Sequence, residues 1–559
     1  MTKYSSVKRL RSITLFGLPV LTIIVTPWFT LDGVNLPKLL VLSTCAGAIA
    51  FNVKPLFRTG AYQPKLRLYL ISVFIFALLS VVSQLATGSF SLKEIYGGYG
   101  RNTGLLTYLL LSIFATAAAL IADDAFVKRF LNSLIAVGLL NALYGLLQNF
   151  GIEPLPWTSP YNPIVGTLGN PNFVSALLGV CSICLLSQLV QGPLKNGMML
   201  LWAMALAFTI FILIRNESIQ GVLIFALGAA FLLILRATEK FSSWMMKVSI
   251  VTSFLIAGSL VLLGSMRIGP FTSILGQETF KWRLEYWRVG LKIVRDNPLI
   301  GIGFDNYGDY FREYRSLSFV ESRGLDVTSD SSHNLLIDIL AGGGIPLGLV
   351  FIVTNLLVLT SGVRMLRLKS DRFSSSVLVL VYFGLLAQSL ISVVNIALAV
   401  WQFVAGGLIV GIDASKDKVM NKVLVRQKHS AEVDASTSLL TYAGFVIGLL
   451  LAFLPFRNDY QFKKSLESGQ PYLIVTAARS KPLNDHYLFT AARVLTENNR
   501  YTDARGLLEE AVKDNPRNYL ALKLLYGNPE ISDFGRAKIR DSLQELDPQL
   551  DISTLNVKD

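Results

Sequence analysis

The chain contains three histidines, and one of them, His333, stands in the stretch DSSHNLLIDILAGGGIPLGL, where polar residues give way to a long apolar run. Imidazole is the side chain whose ordinary pKa suits proton transfer near neutrality, so His333 is a candidate general base. An interfacial histidine also serves plain structural ends, and position alone does not separate the two. Four other stretches gather residues able to do chemistry. GGYGRNTGL, 97–105, holds Arg101; VGTLGNPNF, 165–173, holds Asn170 and Asn172; IRNES, 214–218, holds Arg215. The fourth, FKWRLEYWRVGLKIVRDNPLIGIGFDNY, 280–307, reads as a helix from about Glu278 to Arg295 stopped by Asn297-Pro298. Arg283, Trp287 and Gly290 fall on one face of it, at i, i+4 and i+7. Guanidinium forks suit phosphate oxygens, although a snorkelling or salt-bridging arginine is the other reading of Arg283. Asn170 and Asn172 suit turn and cap chemistry as well as contact with a ligand.

The elements that must position these residues are membrane spans. Of 559 residues 52% are hydrophobic and 16% charged, whereas soluble domains run nearer a quarter charged. Apolar runs of about 18 to 25 residues, each long enough for a bilayer core of about 30 Å, predict thirteen spans: 13–30, 34–51, 68–86, 104–122, 131–150, 173–191, 197–213, 219–235, 247–264, 335–360, 375–393, 398–412 and 438–456. The first run has basic residues before it and no small-residue cleavage site after it, so it reads as a retained span. Alternate loops are basic. Lys3, Lys8, Arg9 and Arg11 are followed by Lys54, Arg58, Lys65 and Arg67, then Lys128 and Arg129, Lys195, Arg236 and Lys240, Arg364 and Arg372, and Lys416 to Lys428. The short loops between them carry Asp32 or Glu153. The positive-inside rule then puts the N-terminus in the cytoplasm and makes the net charge of +14 an orientation signal, not a nucleic-acid face. All five stretches fall on the outer side. His429 lies in an inner loop and His486 in the tail, which leaves His333 as the histidine placed for base work at the outer surface.

Two long segments lie outside in this topology, Ser265 to Ser332 and the tail after Pro455. In the tail Ala491, Ala492, Leu495, Ala504, Leu508 and Ala511 recur at helical spacing and Pro516 ends the unit, like one tetratricopeptide repeat. One repeat cannot bury its own face, so about three helical pairs are expected, packed together or on the membrane domain, as a docking surface or as a small cap. Cys45, Cys181 and Cys184 all fall in apolar runs and read as small buried hydrophobes. Ionisable residues are nearly absent from the expected spans, which argues against an ion-coupled transporter.

Taken together, Gly100-Arg101 with Gly104-Leu105, Thr167 to Phe173, Arg283 to Phe304, and His333-Asn334 resemble the O-antigen ligase and O-antigen polymerase family, over roughly residues 95 to 412. The repeat-bearing tail is similar to one branch of it. The resemblance implies an all-α polytopic membrane glycosyltransferase fold: membrane spans over 1–264, an extracytoplasmic loop over 265–334, further spans over 335–456 and an extracytoplasmic helical tail over 457–559. It implies a metal-independent, cofactor-free transfer of a glycan from undecaprenyl diphosphate, at the outer face of a bacterial plasma membrane; inversion is what a single displacement would give. Arg283 and His333 match the family's loop arginine and histidine. Arg215 has the right side but not the family's Ser-Arg-Gly turn, and Arg101 is a second candidate for the phosphate. Asn170, Asn172, Asn334 and Trp287 are candidates for substrate contact. The acceptor stays open: a lipid, a second glycan as in a repeat-unit polymerase, or a protein side chain as in an oligosaccharyltransferase, with the tail offering a surface to a partner protein. From a different class, a non-catalytic flippase or exporter predicts charges lining an intramembrane cavity; a membrane anchor that recruits partners makes the outer arginines and His333 dispensable.

Overall fold

The structure, a computed structural model, describes residues 3–57, 63–88, 92–156, 164–191, 196–238, 278–367, 372–415 and 435–550, with a few isolated positions between 245 and 256. Its membrane part comprises α1 (Lys3–Ile23), α2 (Asn35–Phe57), α3 (Pro64–Ala86), the short α4 (Leu92–Tyr96), α5 (Leu105–Ile121), α6 (Asp124–Asn149), α7 (Pro171–Val190), α8 (Asn196–Arg215) and α9 (Ile219–Thr238). The loop contributes α10 (Glu278–Asp296), α11 (Tyr307–Tyr314) and α12 (Leu317–Arg323). Then come α13 (Leu335–Arg367), α14 (Arg372–Ser389), α15 (Ile396–Ser415) and α16 (Ala435–Ser468), followed by the tail helices α17 (Pro471–Ala478), α18 (Asp485–Glu497), α19 (Tyr501–Asp514), α20 (Tyr519–Tyr526) and α21 (Asp533–Leu546).

The count of thirteen spans is corrected. Among the described residues nine helices are long and apolar enough to cross a membrane: α2, α3, α6, α7, α8, α9, α13, α15 and α16. The expected span at 104–122 is a 17-residue helix, and Ser374–Ser389 is likewise a shorter apolar helix. In α1 the cluster Lys3, Lys8, Arg9 and Arg11 leaves only the later half apolar. The expected span at 247–264 lies outside the described residues.

Lipid gives apolar helices no reason to prefer each other over acyl chains, so association depends on close backbone approach. Glycines supply it here. Gly407 and Gly411 of α15 lie against the carbonyl oxygens of Ala115 and Ala119 on α5, where a Cβ would sit 2.3 Å from either oxygen. Gly444 and Gly448 of α16 meet Gly47 and Ser43 of α2 in the same way, and the Ser43 hydroxyl donates to the Gly448 carbonyl at 2.6 Å. The three cysteines are free and buried, as expected.

Among the described residues the few ionisable groups within the bundle are buried and partnered. Lys38 on α2 is wholly buried, and its ammonium donates to the carbonyls of Ile24 (2.8 Å), Thr167 (2.8 Å) and Val34 (3.1 Å). Asp413 on α15 is buried beside Lys65 (3.3 Å) and Arg364 (3.4 Å). Charges survive burial when paired or fully hydrogen-bonded; the partners are remote in sequence, so hydropathy along the chain does not reveal them.

Basic residues collect at one end of the bundle, where Arg11 pairs with Asp123 (2.5 Å) and Lys65 and Arg364 flank Asp413. The loop helices and the tail sit at the other end. All six residues of the tail stripe are buried in one apolar cluster. The tail also docks on the loop. Arg312 of α11 (3.3 Å) and Arg315 just past its end (2.5 Å) share the buried carboxylate of Asp547, Arg517 pairs with Glu313, and the Arg312 guanidinium lies 4.0 Å over the Tyr519 ring. Tyr99 stacks on His486 with ring centroids 4.0 Å apart. Removing one partner of a buried ion pair strands the other, at a cost of about 3–5 kcal/mol. Asp547→Ala is therefore expected to loosen the tail from α11 and speed tryptic cleavage within it, and an unchanged cleavage rate would contradict the docking.

Candidate active site

Two glycine-bearing segments build the frame of the site. Helix α10 spans Glu278–Asp296, as its pattern and the Asn-Pro stop require. The chain then returns through Pro298-Leu-Ile-Gly-Ile-Gly-Phe304 along a break in α13, where Gly344 takes φ +78°. The Ile302 N–H donates to the Ala341 carbonyl (2.9 Å), Gly303 N–H to Gly342 (3.0 Å), and Ile345 N–H to Pro298 (2.7 Å). Gly301 has φ +69°, and a Cβ there would lie 2.4 Å from the Ala341 oxygen, so only glycine fits.

The next residue but three, Asp305, draws in a loop from far upstream. Its carboxylate accepts the N–H of Gly98 (3.0 Å), the N–H of Thr103 (3.1 Å) and the Thr103 hydroxyl (2.8 Å). Asn102 and Asn35 tie the same loop to the start of α2, through Asp32 (2.6 Å) and the Gly100 carbonyl (2.6 Å). Arg101 is thereby turned toward the segment before α13, where its Nε and Nη2 both donate to Asp330 at 2.7 Å, a bidentate fork.

His333 lies three residues beyond Asp330. Its backbone sits at φ +56°, a region costly for a residue with a Cβ. Its ring stacks on Tyr286 of α10, centroids 5.2 Å apart. Arg283, one turn earlier on α10, is buried. Gly290 lets α10 approach α13, since a Cβ there would lie 2.4 Å from Ile337 Cγ2. Arg101, Asp305, Tyr307, Asp330, Ser331 and Asp338 are among the residues lining a cavity at this place.

The electrostatics follow from burial and these neighbours. Burial, then the positive charges of Arg283 and Arg101, hold the His333 pKa down to about 4, with Asp330 opposing. The ring is thus a neutral base at physiological pH. Burial also lowers Arg283, to about 10, with Tyr286 acting against it, so the guanidinium stays charged. Burial works against the charge of Arg101 too, but the Asp330 carboxylate outweighs it and the pKa rises.

The remaining candidates fall elsewhere or do structural work. Arg215 is exposed at the end of α8 and donates to Asn149 (2.9 Å), at the end of α6. Asn170 caps α7, accepting the Asn172 N–H at 2.9 Å, and Asn172 accepts the Ser218 hydroxyl at 2.8 Å. Asn334 caps α13, accepting the N–H groups of Leu336 (3.0 Å) and Ile337 (3.2 Å). Trp287 shares the α10 face of Arg283, and its indole N–H is buried without a hydrogen-bond partner among the described residues. Sequence reasoning missed Asp305, Tyr286 and the acidic partners Asp330 and Asp338. Their one sequence signal was their place inside stretches already singled out. Among the described residues no group of three or more His, Cys, Asp or Glu has the arrangement of a metal site.

The fold and the site define a polytopic α-helical membrane protein with two arginines and a neutral histidine brought together at one end of its bundle. Residues 203–352 match the family model described as O-antigen ligase, the Wzy_C domain. That stretch carries Arg215, Arg283, Trp287, His333 and Asn334, while Arg101, Asn170 and Asn172 lie outside it. No curated protein matches the chain. The match supports an enzyme of the ligase and polymerase type, one that transfers a glycan from a lipid-linked carrier to an acceptor at the membrane surface.

The depressed His333 pKa has a pH consequence. The fold favours the neutral ring, so this contribution to stability is fully present above the ordinary 6.5 and is lost as pH falls through about 4. The His333 ring is expected to titrate near the depressed value of about 4 in an NMR pH series of the protein. A His333 titration centred near 6.5 would contradict it.

Proposed function

We propose that this chain moves a glycan from undecaprenyl diphosphate to an acceptor hydroxyl at the outer face of a bacterial plasma membrane. Arg101 and Arg283 are its phosphate-binding residues and His333 its general base. One observation carries the reading: Arg101, Arg283 and His333 come from three distant stretches and converge, with the histidine held neutral by burial and then by the charges of Arg283 and Arg101. In the reaction the imidazole takes the acceptor's proton, the freed oxygen bonds to the anomeric carbon, and the bond from that carbon to the diphosphate oxygen breaks. The leaving diphosphate carries off the electron pair. Fixed guanidinium charges stabilise it where negative charge develops, and Asp330, which now takes the Arg101 fork, must give way to it.

The lining of a cleft inside the bundle supports the same reading. Tyr69, Phe76, Phe351, Tyr382 and Phe403 are among the lining of a cleft between the spans, and that lining contains no Asp, Glu, Lys or Arg. The rival flippase reading calls for charges there. Phe76 of this cleft packs edge-on against Tyr108, which lines the outer cavity, so the cleft and the cavity share a wall.

In this reading the basic end of the bundle faces the cytoplasm, as does the N-terminus, while the loop and the tail are outside. The tail then acts as a tetratricopeptide-like cap, held on α11, beside the reaction centre. Arg215 is left out of the mechanism, and Asn170, Asn172 and Asn334 act as caps and ties.

His333→Ala is expected to abolish transfer while the protein still inserts and binds carrier lipid. Arg283→Lys is expected to lose about 10²-fold or more, because an ammonium does not reproduce the fork. The check is surface glycan and carrier-linked glycan in a deletion strain. Accumulation of single units on the carrier indicates a polymerase, and accumulation of full chains a ligase or protein transferase. Wild-type surface glycan with His333→Ala would overturn the assignment.

A further inference from the structure

We propose that Asp338 is the positioning residue that holds His333 in its working orientation, acting through Ser331 and Ser332. The proposal rests on the reading of His333 as general base. Asp338 stands five residues after His333, in the first turn of α13, and its carboxylate reaches back over the turn that precedes the helix. Both oxygens are used. Oδ2 accepts the Ser331 hydroxyl at 2.7 Å, and Oδ1 accepts the Ser332 N–H at 2.8 Å. A hydroxyl has one proton. With that proton directed at Asp338, the Ser331 oxygen is oriented to accept, and it accepts the His333 N–H at 3.0 Å.

The brace is placed where it is needed. His333 has φ +56°, which a residue with a Cβ keeps only when its surroundings over-determine it. Helix capping does not explain Asp338, because Asn334 already caps α13 with its own side chain. Nor does charge pairing: among the described residues the Asp338 carboxylate takes part in no ion pair, although it lines the same cavity as Arg101. Among the described residues the ring is steadied by the Tyr286 stack, so its direction follows from the backbone that Asp338 fixes.

Asparagine in place of Asp338 offers one acceptor and one donor, so either Ser331 or Ser332 would face an amide N–H. Misplacing a catalytic group by about 1 Å costs about 10²-fold. In the full-length protein in lipid nanodiscs, with extracted carrier-linked glycan as donor, Asp338→Asn and Ser331→Ala are each expected to lower kcat by about 10²-fold with KM changed less than about twofold. Ser331→Thr, which keeps the hydroxyl, is expected to recover most of what Ser331→Ala loses. The chain has three histidines, so carbon-13 labelled histidine gives a readable NMR spectrum. In Asp338→Asn the His333 resonance is expected to move while that of His486 stays. Unchanged kcat, or equal movement of both resonances with a lowered Tm, would overturn the proposal. If His333→Ala transfers glycan at the wild-type rate, the base assignment falls; the brace is then judged by the His333 resonance, which moves if it is right and stays if it is wrong.

Discussion

One carboxylate holds the site together. Asp305 accepts two backbone N–H groups and a hydroxyl from the loop around Arg101, and its own position is fixed by the ladder between the Ile302-Gly303 strip and the broken helix α13. Through it a loop between α4 and α5 becomes part of the same surface as α10 and the start of α13. Burial raises the Asp305 pKa in spite of the donors, Thr103 foremost among them, that favour its charge. A carboxylate so held works as a structural tie and not as an acid or base in the reaction.

The reaction centre then depends on a balance of charges in a half-buried place. Two guanidiniums near an imidazole discourage its protonation, and the imidazole in turn has no carboxylate on its ring among the described residues. Asp330 is shared: it pairs with Arg101 and opposes, at His333, the effect of the arginines. In the proposed reaction a negatively charged leaving group between the arginines would relieve their repulsion and raise the basicity of His333, so that substrate entry and base strength would be coupled through the same charges. The tail contributes from outside, clamped to α11 by the buried Asp547 pair, and α11 itself follows directly from the turn that carries Asp305.

Much of this was legible in the sequence. Helix α10 ends where Asn297-Pro298 says it must, and the tail stripe is buried at every position named. In the sequence Arg101, Arg283 and His333 are grouped by the membrane side expected for them, not by their distance along the chain. What was not legible depends on contacts remote in the chain. Lys38 carries no sequence signal for its burial, because the Ile24 and Thr167 carbonyls that satisfy it lie outside its own helix. Two helices proved shorter than apolar runs suggested, since loop residues at their ends are apolar as well. Arg215 stood out for its expected side and neighbourhood without the family's turn motif, and in the structure it bonds Asn149 at the α6–α8 corner. Asp305 and Asp338 were overlooked because a carboxylate that receives backbone N–H groups has no spacing signature; only the folded chain shows what it binds.

The most direct test of the central claim is a cryo-EM structure of the full-length protein in nanodiscs with undecaprenyl diphosphate bound. The expected result places the phosphate oxygens within hydrogen-bond distance of both Arg101 and Arg283, with Asp330 released from the Arg101 fork. A diphosphate seated at Arg215, or one bound while the Arg101–Asp330 fork stays intact, would contradict the account.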